Sequence, residues 1–312
     1  MRNNYSKIQE LLQQKADYQA RLNLLPYDGY PEVKSRGEKK YLYVRKRVAG
    51  KNTSHYVDVY SDALYQLLQR NEKEARELNK AIKAVEKQLA QLGYEEAELS
   101  AQVLLNLDFA RINMKISIYE QAVLEGVATT FSQTEEIIDN GKINGVTASD
   151  VQKVLNLKHA WEFILDKDVI SYPTDYSLIC HIAQLINEGF YINGRRLRGV
   201  PVAIKGTSYI PPLPVEADVK GCVEKILAEP RAAIDSAIEL CLYIMKSQLF
   251  NDGNKRAAIL SANHFLISQG EGLLVVPEQK VPDFKRLLVA YYENRSIDEM
   301  IIFLKKHAWR HF

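Results

Sequence analysis

Two segments near the start of the chain carry stripes of mainly apolar residues at alternating spacings of three and four. The first stripe comprises Ile8, Leu11, Lys15, Tyr18, Leu22 and Leu25, and the second comprises Ala75, Leu78, Ile82, Val85, Leu89 and Leu92. Such spacing places the residues on one face of an α-helix. The pattern therefore predicts two helices that pack antiparallel, and it is equally compatible with a homodimer formed through the same stripes.

The segment between the stripes, YLYVRKRVAGKNTSHYVDVY at 41–60, has a different pattern. It is rich in Tyr and Val on both sides of a Gly-Lys-Asn turn, which predicts a β-hairpin. Ser61 follows directly and is a suitable N-cap for the returning helix. We therefore interpret residues 1–95 as a helical arm that bears a β-hairpin.

A short polar break at 92–100 separates this arm from a longer and mostly helical region. Helical patterns follow at 98–125, 147–165, 174–189, 217–249, 254–269, 280–292 and 296–307. The exceptions are a loop at 193–214 and a hairpin-like or turn stretch at 139–147. Residues 97–312 are thus predicted to form an all-α domain with one short β element.

The composition agrees with a helical protein of the cytoplasm. Gly and Pro are sparse, while 46% of the residues are hydrophobic and 26% are charged. The three cysteines form no zinc or redox motif, and the first ten residues lack the apolar core of a signal peptide. No apolar run of about 18 residues occurs. We therefore expect reduced thiols, a cytoplasmic location and no membrane partner.

The net charge of +2 excludes a global attraction to nucleic acid or to anionic membranes, so only a local patch could supply one. The hairpin at 39–51 is such a patch. The hairpin region has basic residues interleaved with aromatic ones, namely Lys39, Lys40, Arg45, Lys46, Arg47 and Lys51 among Tyr41, Tyr43 and Tyr56. This mixture suits a nucleic-acid partner. It is also typical of an exposed hairpin with a solvated face, and both interpretations stay open.

The stretch SQLFNDGNKRAA at 247–258 joins two apolar helical patterns and has the features of an anion site. Asp252-Gly253-Asn254 allows the backbone to bend, and the first amides of the next helix have no partners within that helix. Those amides, the helix dipole and the two following basic residues attract anions. The Asp252 carboxylate suits a phosphate-bound Mg²⁺. The alternative is a helix–helix turn with an N-cap.

This stretch resembles the signature of the Fic/Doc (Fido) family, His-x-Phe-x-(Asp/Glu)-Gly-Asn-(Gly/Lys)-Arg. The matching positions are Phe250, Asp252, Gly253, Asn254, Lys255 and Arg256. Two other stretches are similar to family features. The segment 178–212 resembles the approach to a flap, and QAVLEGVATT at 121–130 resembles an inhibitory helix. The resemblance covers 98–312 and implies a Fic-type helical core with a short β flap.

Members of the family usually transfer AMP from ATP to a hydroxyl of a target protein, and Doc-like members phosphorylate. The resemblance implies that Asp252 binds Mg²⁺. It implies a nucleotide-phosphate site formed by Gly253, Asn254, Lys255 and Arg256, of which Arg256 also acts in catalysis. It further implies a flap that binds the protein target through Lys205, Gly206, Thr207 and Tyr209. Glu125, on a helix near 116–127, is implied to be inhibitory.

The chain departs from the family pattern at two positions of the same site. Gln248 stands where the family has the catalytic His, and an amide cannot accept the proton of an attacking hydroxyl. Ile259 stands where active members often have a second Arg that pairs with the inhibitory Glu. Glu125 therefore lacks its expected partner, and Lys255 or Arg256 could replace it. Both departures predict nucleotide binding with slow or altered chemistry, because positioning carries much of phosphoryl transfer.

Three histidines of the helical region offer no clear substitute for the missing base. His159, His181 and His264 each lie in a helical pattern without a carboxylate at telling spacing, so we expect structural roles for them. Two functions other than transfer stay open. One is a catalytically degenerate regulator that binds a nucleotide, and the other is a toxin–antitoxin component whose arm contacts nucleic acid.

Overall fold

The computed structural model of the chain describes residues 2–27, 29–48, 51–94, 98–141, 145–295 and 297–312. The backbone divides into two compact units, residues 1–96 and residues 97–312. Each unit has its own secondary structure and its own buried core, and each is described separately. None of the described helices combines the length and apolar composition that a membrane span requires.

The first unit consists of two helices with a sheet between them in sequence. Its elements are α1 (Arg2–Leu24), β1 (Tyr30–Arg36), β2 (Lys39–Val48), β3 (Lys51–Val59) and α2 (Asp62–Gln91). The strands form an antiparallel sheet in the order β1-β2-β3. The predicted hairpin is confirmed as β2 and β3, and its turn at 49–50 lies outside the described residues. The prediction missed β1, since Pro31 and the polar residues after it conceal the strand pattern.

The sheet buries one face against α2. Leu42 and Val44 of β2 are fully or almost fully buried and form a small core with Leu68 of α2. The Ser61 hydroxyl accepts a hydrogen bond from the amide of Leu64, which confirms Ser61 as the N-cap of α2. A cap of this kind contributes about 1 kcal/mol to helix stability.

The buried face of α1 differs in part from the predicted stripe. Leu11 is buried as expected, but Leu12, Ala16 and Ala20 complete the face, whereas Lys15 is half-buried. Since α1 and α2 pack together, small alanine side chains permit a close approach that a longer side chain would prevent. In α2 the predicted face is largely correct, because Ala75, Ile82, Val85 and Leu89 are all buried.

The second unit is mainly helical, as predicted. Its helices are α3 (Ala101–Ile112), α4 (Met114–Leu124), α5 (Phe131–Asn140), α6 (Ala148–Ile164), α7 (Lys167–Ile170), α8 (Tyr176–Ile186), α9 (Glu216–Ala228), α10 (Ala233–Ser247), α11 (Asn254–Gln269), α12 (Val281–Tyr292) and α13 (Ile297–His307). A 3₁₀ turn spans Glu278–Lys280, and two short strands, β4 (Leu273–Leu274) and β5 (Trp309–Arg310), pair antiparallel.

Two segments correct the sequence prediction, and a third lies partly outside the described residues. The pattern at 217–249 is two helices, because the chain leaves helical geometry around Pro230. The helix α5 was not predicted, although Thr130 and Gln133 form a capping box at its start and Gly141 ends it in the left-handed conformation. The turn predicted at 139–147 includes residues 142–144, which lie outside the described residues.

The helix α11 is the centre of the second unit. It packs against α3, α6, α8 and α10, and most of its residues are buried, including Ala257, Ala258 and Ala262. Asn263 of α11 exchanges two hydrogen bonds with the backbone of Leu274, at 2.8 Å each, and thereby fixes β4. Because α11 is held from several sides, the loop at its N-terminus has a rigid support.

The segment predicted as a β flap contains no strand. Residues 199–215 form an irregular loop with a turn at Lys205–Gly206. Pro211, Pro212 and Pro214 have no amide hydrogen to donate to a neighbouring strand, which accounts for the difference in the second half of the segment.

Candidate anion-binding site

The loop between α10 and α11 is closed by the side chain of Asn254. Its Nδ2 donates to the carbonyl of Phe250 at 2.7 Å, and its Oδ1 accepts from the amide of Phe250 at 2.9 Å. The Phe250 ring is 1% exposed, so the loop is anchored in the core at this point. The motif positions that precede α11 are therefore held in one conformation by a buried ring and a paired amide.

Gly253 gives α11 an open N-terminus. Its φ is +74°, and no described side chain caps the helix. A Cβ at this position would lie 2.9 Å from Cδ1 of Ile186 and 3.2 Å from Oδ1 of Asn187, and together with the positive φ these contacts favour glycine. The first amides of α11 have no intrahelical acceptors and lie at the positive end of the helix dipole. The loop thus presents the geometry of an anion-binding helix terminus.

The two cations of the loop are already paired with carboxylates. Arg256 is buried, and its Nη2 lies 2.9 Å from Oδ2 of the half-exposed Asp252. Its Nη1 also donates to the carbonyl of Ile186 at 3.2 Å. The Nζ of Lys255 lies 3.2 Å from Oε1 of Glu125. The four charges of the loop and its neighbour therefore cancel in this structure.

Glu125 follows the last residue of α4, so the helix predicted near 116–127 ends just before it. Gln121 fixes α4 to the loop, since its Nε2 donates to the carbonyl of Arg256 and its Oε1 accepts from the Trp161 indole, both at 3.1 Å. Of the two partners considered for Glu125, the structure selects Lys255. The side chain of Ile259, one turn further along α11, is buried.

The side chain of Gln248 is bonded to the loop itself. Its Nε2 donates to the carbonyl of Met245 at 2.6 Å, and its Oε1 accepts from Nδ2 of Asn254 at 3.2 Å. Gln248 also has a positive φ of 46° and ends α10 in the left-handed conformation. Its amide therefore serves the loop conformation and offers no basic atom to a substrate.

Arg198 links the flap to the loop, and the sequence interpretation missed it. This buried guanidinium donates to the carbonyl of Gln248 at 2.5 Å and to those of Val200, Pro211 and Pro212 at 2.9, 3.0 and 2.6 Å. Desolvation lowers the pKa of Arg198, and these four hydrogen-bond acceptors are all carbonyl oxygens. Arg198 is one of three arginines within residues 195–198, and the sequence does not distinguish it, because its acceptors are backbone carbonyls 2 to 50 residues away.

The predicted flap residues differ in how they are held. Thr207 donates to Oε1 of Glu293 at 3.1 Å and accepts from the amide of Tyr209 at the same distance. The Tyr209 ring stacks on Tyr292 with the centroids 6.5 Å apart. Gly206 has a φ of +89°, and Lys205 beside it is exposed. The flap is therefore anchored at Thr207 and Tyr209 and open to solvent at its turn.

A cavity of 370 Å³ lies between the flap and the end of α10. Tyr209, Tyr243, Lys246, Ser247 and Tyr291 are among its lining residues. The Nζ of Lys246 donates to the carbonyl of Tyr291 at 3.2 Å, and desolvation lowers its pKa. This cavity adjoins Gln248 through Ser247, and nothing in the sequence pattern indicated it.

The three histidines lie among structural contacts. His264 is fully buried, contacts the Thr174 hydroxyl at 2.8 Å and the Val169 carbonyl at 3.0 Å, and has a pKa lowered to about 4 by burial. The His181 ring packs on Phe163, and Nδ1 of His159 lies 3.4 Å from the Glu188 carboxylate. Within the described residues no group of three His, Cys, Asp or Glu side chains could hold a metal ion.

Residues 173–266, which include the loop, Arg198 and the flap, match the model of the Fic/DOC family. The chain contains a Fic/Doc-family domain. We therefore refer to the second unit as the Fic unit. Residues 5–66 of the first unit match a domain of unknown function, DUF6788. A comparison with curated proteins found no match.

Solved structures of Fic proteins share the fold. Fic-1 (residues 134–508) from C. elegans is 16% identical, with a TM-score of 0.56 over 77% of this chain and 74% of that chain. A Fic-domain signaling protein from Bacteroides thetaiotaomicron is 17% identical, with a TM-score of 0.54 over 70% of this chain and 90% of that chain. At these identities the likeness shows the fold alone, which is the predicted Fic-type helical fold.

Proposed function

We propose that the Fic unit binds the phosphates of ATP together with Mg²⁺ at the N-terminus of α11. We further propose that it transfers AMP, or another phosphate-containing group, to a hydroxyl of a target protein, with chemistry impaired by Gln248. One observation carries the proposal: α11 begins at Gly253 in the left-handed conformation, without a side-chain cap, in a loop fixed by Asn254.

The residues of the loop fit this pair of ligands. Mg²⁺ is commonly held by one or two carboxylates together with substrate phosphates and water, and Asp252 is a half-exposed carboxylate beside the open helix terminus. Bound Mg²⁺ would supply positive charge between the phosphate oxygens. The guanidinium of Arg256 has a buried Nε that no described residue accepts from, so a phosphate oxygen would complete its hydrogen bonding.

The first residues of α11 would orient the nucleotide, and Gln248 determines how the reaction proceeds. In AMP transfer the hydroxyl oxygen of the target bonds to the α-phosphorus, and the bond from that phosphorus to the pyrophosphate breaks. The hydroxyl proton must leave, and Gln248 cannot accept it. A general base contributes about 10²- to 10⁴-fold, so we propose transfer that is slower by that factor, with the proton released to water.

The pairing of Lys255 with Glu125 would oppose nucleotide binding. Phosphate oxygens that reach the first turn of α11 compete with the Glu125 carboxylate for the same ammonium group. We therefore propose that Glu125 keeps an inhibitory role through Lys255, in place of the arginine that Ile259 replaces.

The test is transfer of label from α-phosphate-labelled ATP with Mg²⁺ to the protein itself and to a cell lysate. Native protein and Gln248→His are assayed side by side, and ATP binding is measured in parallel by calorimetry. We expect ATP binding by both proteins and much faster labelling by the variant. The proposal would be refuted if neither protein bound ATP in the presence of Mg²⁺.

A second candidate is a regulator that binds the nucleotide without transferring it. The inward hydrogen bonds of Gln248 favour it, since both polar groups of the amide are used within the loop. In this case native protein would bind ATP and never transfer label, whereas Gln248→His would transfer it. Slow but measurable labelling by the native protein would exclude the regulator.

A further inference from the structure

The sheet of the first unit has one buried face and one open face. Along β2, Leu42 and Val44 are buried against α2, while Tyr41 and Tyr43 are only half-buried on the other side. Side chains alternate along a strand, so the tyrosines share the face that α2 leaves uncovered. Tyr56 of β3 pairs with Tyr43 in the register of the sheet and is 55% exposed. The open face is therefore aromatic.

The tyrosines of the open face form a cluster bordered by cations. The Tyr56 centroid lies 5.6 Å from that of Tyr43 and 6.3 Å from that of Tyr41. The Nζ of Lys34, on β1, lies 4.4 Å from the Tyr43 centroid. Arg45 continues the alternation of β2 on this face and is exposed. Exposed rings beside cations offer a surface on which planar groups stack and anions are attracted.

Charge is concentrated on this sheet. Residues 30–59 contain eight Lys or Arg and three Asp or Glu, a net charge of +5, whereas the whole chain carries only +2. The rest of the protein is therefore net negative, and the attraction for polyanions is local to the sheet.

A groove within the first unit extends the positive surface. It has a volume of 490 Å³, and four basic side chains line it, namely Lys46, Arg76, Lys80 and Lys83. Its acidic lining residue, Glu72, is paired with Arg76. The Arg76 guanidinium lies 5.8 Å from the ring centroid of Tyr30, which is 55% exposed. Cations and an exposed tyrosine thus recur at the edge of the sheet.

We propose that the sheet of the first unit binds single-stranded nucleic acid, with bases stacked on the tyrosines of the open face and phosphates paired with its Lys and Arg residues. The positive charge of the sheet requires a polyanion as its ligand. The partly exposed cluster of tyrosine rings favours a polyanion whose planar groups are free to stack on it. Duplex nucleic acid satisfies only the first condition, because its bases are already stacked and paired. This inference rests on the first unit and is independent of the function proposed for the Fic unit.

The experiment is a titration of a fluorescent, mixed-sequence single-stranded DNA of about ten nucleotides, a length within the site sizes of such surfaces. Anisotropy is read with the full chain between about 50 and 200 mM salt, together with a duplex of the same sequence. We expect binding that weakens steeply with salt and favours the single strand. No binding at the lowest salt, or equal binding of the duplex, would overturn the proposal.

The charge contribution is tested by the double variant Lys34→Gln/Arg45→Gln, which changes two basic residues of the open face. Removing two phosphate contacts is expected to weaken binding at least ten-fold at low salt and to reduce the slope of log affinity against log salt by about 1.4. The matched control is Lys285→Gln/Arg286→Gln, which removes the same charge from two adjacent exposed residues of α12. An equal loss in the control would mean a general charge effect and would refute the sheet as the site.

The stacking contribution is tested by Tyr56→Ala, a change of an exposed side chain that should preserve folding. We expect single-strand affinity to fall about 5-fold or more, with the salt slope unchanged. Tyr191→Ala in the Fic unit is the control, since Tyr191 is 45% exposed. Unchanged affinity of Tyr56→Ala for the single strand would contradict stacking. If the native chain binds no DNA but self-associates, and Tyr56→Ala loses the self-association, the open face binds a second copy of the chain instead.

Discussion

At the scale of single residues, the polar side chains of the candidate site in the Fic unit are paired with one another. Asp252 and Glu125 neutralise Arg256 and Lys255, and Gln248 is bonded within the loop. An incoming phosphate would therefore have to replace a carboxylate as the partner of a basic side chain. Its net gain is smaller than the number of nearby cations suggests, because existing ion pairs must break.

Substitution of Glu125 by Gln should increase the affinity for ATP. The change leaves Lys255 without a charged partner, and a partly exposed ion pair is worth up to about 1 kcal/mol, so we expect affinity to rise about 5-fold. Calorimetry with ATP and Mg²⁺ measures the effect. The control is Glu299→Gln, which removes an exposed carboxylate of α13. Equal affinity of Glu125→Gln and native protein would show that Lys255 does not contact the phosphates.

Substitution of Gly253 by Ala should abolish phosphate binding. The added Cβ meets Cδ1 of Ile186 at 2.9 Å, and the positive φ disfavours a side chain, so the substitution strains the backbone where α11 begins. We expect no measurable ATP binding and a loss of about 1 to 3 kcal/mol in unfolding free energy. Gly221→Ala is the control, because a Cβ at this helical position meets nothing. Native-like ATP binding by Gly253→Ala would refute the site at the helix terminus.

The sequence predicted the residue types of this loop and narrowed the partner of Glu125 to two candidates, but it did not determine the other pairings. The motif letters and the glycine turn predicted an anion site before α11, and that site stays a prediction. The bond from Lys255 to Glu125 joins residues 130 positions apart, and the bonds of Arg198 reach backbone carbonyls. Such pairings depend on how α4 and the flap pack on the loop, which local spacing does not determine.

At the scale of elements, periodicity predicted the long helices and the hairpin and failed at short or polar segments. The helix α5 has only ten residues, and β1 contains Pro31 and few apolar side chains. The flap was expected to be β, yet it is a loop held from beneath by the side chain of Arg198. When one side chain from outside a segment fixes its conformation, the sequence of the segment shows little of the periodicity that predicts structure.

Arg198→Ala should detach the flap from the loop. The substitution leaves the carbonyls of Gln248, Pro211 and Pro212 without their donor, and bonds to a charged group are worth about 1.5 to 3 kcal/mol each. We expect a loss of about 3 kcal/mol in unfolding free energy and faster proteolysis within 199–215. Arg196→Ala, at an exposed position two residues earlier, is the control. Equal proteolysis of the two variants would contradict the linking role of Arg198.

At the scale of the whole molecule, the two units differ in charge and in the basis of their stability. The sheet of the first unit is strongly positive around a small core, whereas the Fic unit has a large core centred on α11. Both tryptophans, Trp161 and Trp309, lie in the Fic unit. Tryptophan fluorescence therefore reports the unfolding of this unit alone. The unfolding of the Fic unit can then be analysed as a two-state transition, which a signal from both units would not permit.

The stability of the Fic unit should fall in mild acid because His264 is buried as the neutral form. Its pKa is about 4 in the folded chain against 6.5 for the free side chain. Between these values the unfolded chain binds a proton that the folded chain does not, so stability is complete above pH 6.5 and decreases as pH falls towards 4. At pH 5 the loss amounts to about 2 kcal/mol relative to pH 7.5. Urea unfolding followed by tryptophan fluorescence at both values measures it.

The comparison that isolates this histidine uses His264→Gln, whose side chain can hydrogen-bond to Thr174 or Val169 and does not titrate. We expect the variant to be less stable at pH 7.5, because the glutamine fills the buried site less well. Its loss between pH 7.5 and 5 should be smaller than that of the native protein by about 2 kcal/mol, since carboxylate titrations contribute equally to both. An identical pH dependence in the two proteins would mean that His264 is protonated in the folded protein as readily as in the unfolded chain. The core around α11 would then contain a charged imidazolium.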